Sequence, residues 1–283
     1  MTKTILVAET GSDISKEAAQ EYGIYLTPMH VTFGNKTLDD MTFPVEDIVN
    51  YYKETGKVPK TSGCNPSDFE VFDEIHEKYP DAHILYLAYS AVTTCSFQSA
   101  MIMAEGKDYI TLMDTKQVSV GQGAVVLEVA KYIRKHPEAE IDEVVHYANN
   151  MIDRTKMCFI PNNLEFLRAG GRVSNVAYLG ATILNLHPTI EILEGKLVAT
   201  KKYRGKMSRI CARLLREYTE KYNLDIDILY LGYTIGLSEE VKELVYQQAI
   251  ELGYKEIIWV QCNCVITTHG GPSAFGFVGF TKK

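Results

Sequence analysis

His83-Ile-Leu-Tyr-Leu-Ala88 and Tyr109-Ile-Thr-Leu-Met113, with Thr94-Cys-Ser-Phe-Gln-Ser-Ala-Met-Ile-Met-Ala-Glu105 between them, decide the fold class. Both flanks are near-continuous apolar runs, as expected of parallel strands buried on both faces. The middle segment is a plausible crossover helix of the kind a parallel pair needs. Working outward, Ile5–Ala8 is a strand candidate and Ser15–Tyr22 a short helix, N-capped by Asp13 or Ser15. Val120–Lys135 and Ile141–Asp153 are further helices. The second of these sets Ile141, Val144, Val145, Ala148 and Ile152 on one face. This βαβα order predicts a three-layer α/β/α unit around a parallel sheet.

The second half has a different pattern. Lys156–Ile160 and Ile190–Tyr203 are strand candidates, the latter broken by a hairpin turn at Glu194-Gly195. Met207–Tyr222 is amphipathic, with Met207, Ile210, Cys211, Leu214, Leu215, Tyr218 and Tyr222 in helical register. Ile226–Tyr233, a helix over Glu239–Leu252, Glu256–Gln261 and Ala274–Phe280 complete a smaller unit. The expectation is a two-domain α/β protein. Residues 1–158 form the three-layer unit, and residues 159–283 form a two-layer α/β unit with a mixed sheet. A cleft between two such units is a common place for a ligand.

Bulk properties narrow the function. The chain has 283 residues, 46% hydrophobic and 23% charged, an ordinary globular balance. Its formal net charge of −7 argues against a nucleic-acid footprint or an anionic membrane surface. No run approaches the roughly 20 apolar residues of a membrane helix. Met1–Glu9 is too short and too soon acidic for a signal peptide and reads as a first strand. The six cysteines form no C-x-x-C pair and fit no zinc spacing. Buried free thiols in a reducing cytosol are the expectation, with Cys262 and Cys264 alternating on a strand.

Four loops could carry chemistry. Leu164 to Ser174 contains Gly170-Gly171-Arg172. Paired glycines can point successive N–H groups into one concavity that suits an anion, and Arg172 adds a fork of donors. From Val173 to Ile190 there is no Asp, Glu, Lys or Arg, so this turn opens onto apolar surface. A ligand with a charged head and a greasy body fits that pairing. Thr61-Ser62-Gly-Cys-Asn-Pro-Ser67 is rich in hydroxyls ahead of a helix; Asn65 capping a helix over Pro66–Tyr79 explains it as well. Tyr89-Ser90 through Ser96 lies beyond a carboxyl strand end, where ligands of open α/β sheets sit. An ordinary hydroxyl-capped loop accounts for it equally. His269 precedes Gly270-Gly271-Pro272, which places it on a tight turn. Arg204, at a strand end, is a possible second cation. The sequence has no P-loop, no G-x-S-x-G and no H-E-x-x-H. No catalytic apparatus can be assembled, which favours a binding protein over a stand-alone enzyme.

Together these loops resemble the DegV family of bacterial fatty-acid-binding proteins. The pieces are Glu9-Thr-Gly-Ser-Asp13, Thr27-Pro-Met-His-Val31 leading to Asp40, Thr61-Ser62, Ser90 through Ala100, and Asp114. Leu164 to Arg172, Leu184-Asn-Leu-His-Pro188, Arg204 and His269-Gly-Gly-Pro272 complete the set. The resemblance implies two α/β domains with one long-chain fatty acid between them. It makes Thr61, Ser62, Ser90, Ser96 and His269 the expected carboxylate contacts. It assigns attraction of the head group or a phosphate to Gly170, Gly171, Arg172 and Arg204. It places the tail against the apolar helix Val176–Leu184, through Ala177, Leu179 and Ile183. Cys95 stands where the family usually has glycine.

The resemblance further implies a non-catalytic, cytoplasmic subunit of fatty acid kinase. Such a subunit presents its lipid to a separate ATP-binding partner that makes an acyl phosphate for phospholipid synthesis. No metal or cofactor is expected, ATP entering only through the partner. Nucleic acid is not an expected partner, and membrane contact is at most transient. The alternatives are a lipid carrier or sensor without a kinase partner, and a kinase-like enzyme that binds a small ketone or sugar through His269.

Overall fold

A computed structural model describes residues 4–171 and 186–282. In chain order it runs β1 (Thr4–Glu9), α1 (Lys16–Tyr22), β2 (Tyr25–Thr27), β3 (His30–Phe33), β4 (Lys36–Asp39), α2 (Glu46–Thr55) and β5 (Lys60–Ser62). Next come α3 (Val71–Lys78), β6 (His83–Ala88), α4 (Ser96–Ala104), β7 (Ile110–Asp114), α5 (Ser119–Lys135), α6 (Ile141–Arg154) and β8 (Thr155–Ile160). The remainder is α7 (Glu165–Ala169), β9 (Leu186–Leu193), β10 (Lys196–Arg204), α8 (Met207–Tyr222), β11 (Ile228–Tyr233), α9 (Glu239–Glu251), β12 (Glu256–Gln261), α10 (Cys264–Gly270) and β13 (Phe275–Phe280).

The first sheet is parallel throughout, in the order β2-β1-β6-β7. Its central strands distribute their side chains by the two-residue period of a strand. Leu6, Ala8, Leu85 and Leu87 pack with α5 and α6 on one side. Ile5, Val7, Ile84 and Tyr86 pack with Phe69, Phe72, Ile75 and Ala100 on the other. Burial on both faces explains the unbroken apolar runs and makes this unit three-layered.

The second sheet is mixed, in the order β10-β9-β8-β13-β11-β12, and only β11 and β12 are parallel within it. α8 and α9 cover one face, where Cys158, Ile160, Leu214, Leu215, Val245 and Phe277 form a core. From the opposite face Met157, Tyr230, Val278 and Phe280 join the α5 cluster. Helix α5 therefore lies between the two sheets. Every residue from Ser119 to Val126 is buried, as a helix apolar all round should be. The turn between β9 and β10 has φ of 47° at Glu194 and 76° at Gly195, the positive pair that a tight hairpin requires.

Several local expectations are corrected. A third, antiparallel sheet, β4-β3-β5, has strands of only three or four residues. Strands so short leave little periodic signal. The helix expected over Pro66–Tyr79 divides into a 3-10 turn, Pro66–Phe69, and α3. Asn65 and Asp68 do form a capping box there. Cys262 and Cys264 do not alternate on a strand: Cys262 follows β12 and Cys264 opens α10. Cys95 is exposed and the other five cysteines are buried. Residues 158 and 159, where the sequence places the domain division, both lie inside β8.

Candidate functional site

A cavity lies where the third sheet, the loop after β6, α5 and the second sheet converge. Its hydroxyl-bearing rim comes from β5 and the turn that follows it. Val31 on β3 pairs with Thr61 on β5, which orients Thr61 toward α10. There the Thr61 hydroxyl and His269 Nε2 are 2.7 Å apart. His269 does not sit on a tight turn, as its glycine-proline flank suggests. It occupies the last turn of α10, and the turn comes afterwards, at Gly271.

Gly63 brings a second wall against the first. A Cβ at this position would lie 2.2 Å from the Thr94 hydroxyl and 2.8 Å from that of Ser96, so only glycine allows the approach. The Cys64 amide donates to Ser96 Oγ at 3.0 Å, and Ser96 Oγ lies 2.9 Å from Thr94 Oγ1. Thr61, Ser62, Gly63, Thr93, Thr94 and His269 consequently meet at one part of the cavity wall. Most of the rest is apolar, from Met29, Val118, Met157, Phe159, Leu167, Leu197 and Phe275 among others. Counting its open mouth, the cavity encloses about 910 Å³. Three hydroxyls in the wall donate elsewhere: Thr93 to the Ser90 carbonyl at 2.8 Å, Ser119 to Asp13 at 2.5 Å and Thr234 to the Gly271 carbonyl at 2.6 Å.

The other expected site residues are placed differently. Ser90 is fully buried, and its hydroxyl donates to the Gly195 carbonyl at 2.8 Å, across to the β9–β10 hairpin. Ser96 is also buried and supports the wall from behind. Gly170 and Gly171 do not offer an anion cradle. Their amides bond the carbonyls of Phe166 and Arg168 and end α7. Gly170 has another role, because a Cβ there would lie 2.3 Å from His269 Nδ1. Arg204 ends β10, exposed and outside the cavity wall. Arg172, Ala177, Leu179 and Ile183 lie outside the described residues. Met29 stands inside a quoted motif without a role, Leu197 and Phe275 carry no site signal of their own, and all three reach the cavity through tertiary packing.

Three buried carboxyls surround this region without lining it. Burial pushes Glu9 up to about 7 despite hydrogen bonds from Tyr86, Gln122 and the Tyr89 amide. Burial likewise pushes Asp13 up to about 7, against its bonds from Ser119 and the Asn263 amide. Asp40 is raised for the same reason. Among the described residues no group of three or more His, Cys, Asp or Glu side chains could hold a metal, and no helix is long and apolar enough to cross a membrane.

A family model described as "Uncharacterised protein, DegV family" matches residues 3–282. The chain belongs to the DegV family. A DegV domain-containing protein of Caldanaerobacter subterraneus is 27% identical over 288 residues, covering 100% of both chains. A Thermotoga maritima relative named fatty acid-binding protein is 28% identical, covering 97% of this chain and 96% of its own. Among solved structures, a Thermus thermophilus DegV protein described by its fatty acid binding superposes with a TM-score of 0.89 at 23% identity. That alignment covers 99% of this chain and 100% of the other. The shared fold is the mixed α/β architecture described above, with a parallel first sheet and a mixed second one.

Proposed function

We propose that this DegV protein binds one long-chain fatty acid between its two α/β units, the one built on the parallel first sheet and the one built on the mixed second sheet. The observation that carries this reading is the cavity wall. Hydroxyls and an imidazole gather at one part of it, and apolar side chains make up most of the rest. A fatty acid divides the same way. Its tail would supply most of the affinity, at about 0.8 kcal/mol per CH₂ removed from water. Its carboxylate needs hydrogen-bond partners once it leaves water. Thr61, Ser62 and His269 supply them at the wall. Ser96 holds the opposite loop, and Ser90 would have to leave Gly195 to take part. Relatives described as fatty-acid-binding support the reading.

In this reading the protein works in the cytoplasm as a non-catalytic subunit. A separate ATP-bound kinase would transfer the γ-phosphoryl group to the ligand carboxylate, giving an acyl phosphate and ADP. Arg172 and Arg204 would attract the head group or the phosphate. Ala177, Leu179 and Ile183 would meet the tail. The test begins with the protein purified without added lipid, denatured, and its released small molecules identified by mass spectrometry. Stoichiometric long-chain fatty acid is the expected result. An empty protein that also fails to take up added palmitate would overturn the reading.

A further inference from the structure

Helix α10 is held at both ends by one small sheet. At its start the amides of Cys264 and Val265 donate to Asp40 Oδ1 at 3.0 and 3.3 Å. Asp40 directly follows β4 and is 2% exposed. The preceding amide, of Asn263, donates to Asp13 at 2.7 Å, and the Asn263 side chain donates to the Thr10 carbonyl at 3.3 Å. At the other end His269 meets Thr61 of β5. The strands β4 and β5 are the two edges of the third sheet, with β3 between them.

The dimensions agree. Two strand spacings amount to about 9–10 Å. Cys264 to Gly270, at about 1.5 Å per residue, is a helix about 9 Å long. The sheet is thus as wide as the helix is long. Capping one end of α10 on one edge strand delivers the other end to the opposite edge strand. The helix has seven residues, too few to be stable alone, so its position depends on such anchors.

We infer that Asp40 is a positioning residue, which caps α10 and thereby sets where His269 meets Thr61 and the ligand carboxylate. The inference rests on the fatty-acid reading for its last link only. Asp40 does not line the cavity, so its effect on binding passes through His269. It should therefore act on ligands with a carboxylate and spare those that share only the tail.

The test compares palmitate with 1-hexadecanol on the full chain. Asp40→Ser keeps a short capping group, which protects folding, but draws the acceptor back from the helix. It should weaken palmitate binding by about ten-fold, the worth of one disturbed charge-assisted hydrogen bond. Binding of 1-hexadecanol should stay within about two-fold, and Asp40→Ser should add almost nothing to His269→Ala, because coupled sites are non-additive. Asp40→Asn retains an oxygen for the two amides and should restore palmitate binding. Equal loss of both ligands, or full addition to His269→Ala, would overturn the inference. If the wild-type protein binds neither ligand, the fatty-acid reading fails by itself. The ring resonances of His269 in the ligand-free protein then decide. They should move both in Asp40→Ser and in Thr61→Val, and resonances unmoved in Asp40→Ser would refute the positioning role.

Discussion

Gly170→Ala is the sharpest probe of the imidazole. Gly170 has φ −77° and ψ 1°, which alanine adopts without strain. The backbone therefore tolerates the change, and the stiffer unfolded chain favours it by about 0.4–1 kcal/mol. The added methyl would however stand 2.3 Å from His269 Nδ1 and 2.8 Å from Cε1. Ordinary contact needs about 3.5 Å, so the ring must retreat by about 1 Å. A displacement of that size is incompatible with the present 2.7 Å geometry of the Thr61–His269 bond. A hydrogen bond to a charged group contributes about 1.5–3 kcal/mol, so palmitate should bind roughly 10- to 150-fold more weakly. Gly171→Ala is the matched control. Its φ is +69° and nothing lies within 4 Å of the added carbon. It should lose about 1 kcal/mol of stability and keep its affinity. Palmitate titration and urea unfolding of both variants read the two quantities. Unchanged affinity in Gly170→Ala, or equal losses in the two variants, would refute the reasoning.

Stability should fall as pH rises from about 5 to about 8. Glu9 and Asp13 are raised in the fold to about 7, so the native state holds protons that the unfolded chain has already lost, and this advantage disappears as pH climbs through 7. Urea midpoints across that range should decline in the wild type and decline less in Glu9→Gln; a flat wild-type profile would contradict the assignment. Ser90→Ala should cost about 1–3 kcal/mol by leaving the buried Gly195 carbonyl without its donor. A variant as stable as wild type would show that this link between the β6 loop and the hairpin contributes nothing.

Much of the fold was legible because it depends on local periodicity. The apolar runs of β6 and β7, the stripe of α8 and the turn at Glu194-Gly195 each carry their own signal. The β4-β3-β5 sheet did not, because its strands are too short to show a period. Gly170 and Gly171 carried a misleading signal. Paired glycines suit both an anion cradle and a helix terminus, and only the carbonyls of α7 decide between them. The Ser90 hydroxyl was equally undecidable, since its partner lies 105 residues away in the chain.

By itself the sequence determined the fold class, the family resemblance and the residue types available to a fatty acid. Burial periodicity and loop composition are properties of neighbouring residues, and these survive in one dimension. Tertiary structure alone decided which hydroxyls meet. Thr61 and His269 are 208 residues apart and come within 2.7 Å because α10 packs against β3 and β5 of the third sheet. Tertiary structure also placed α5 between two sheets, turning the helix after Val118 into a wall of the cavity. Such contacts are set by packing between distant elements, and a single chain read along its length carries no record of them.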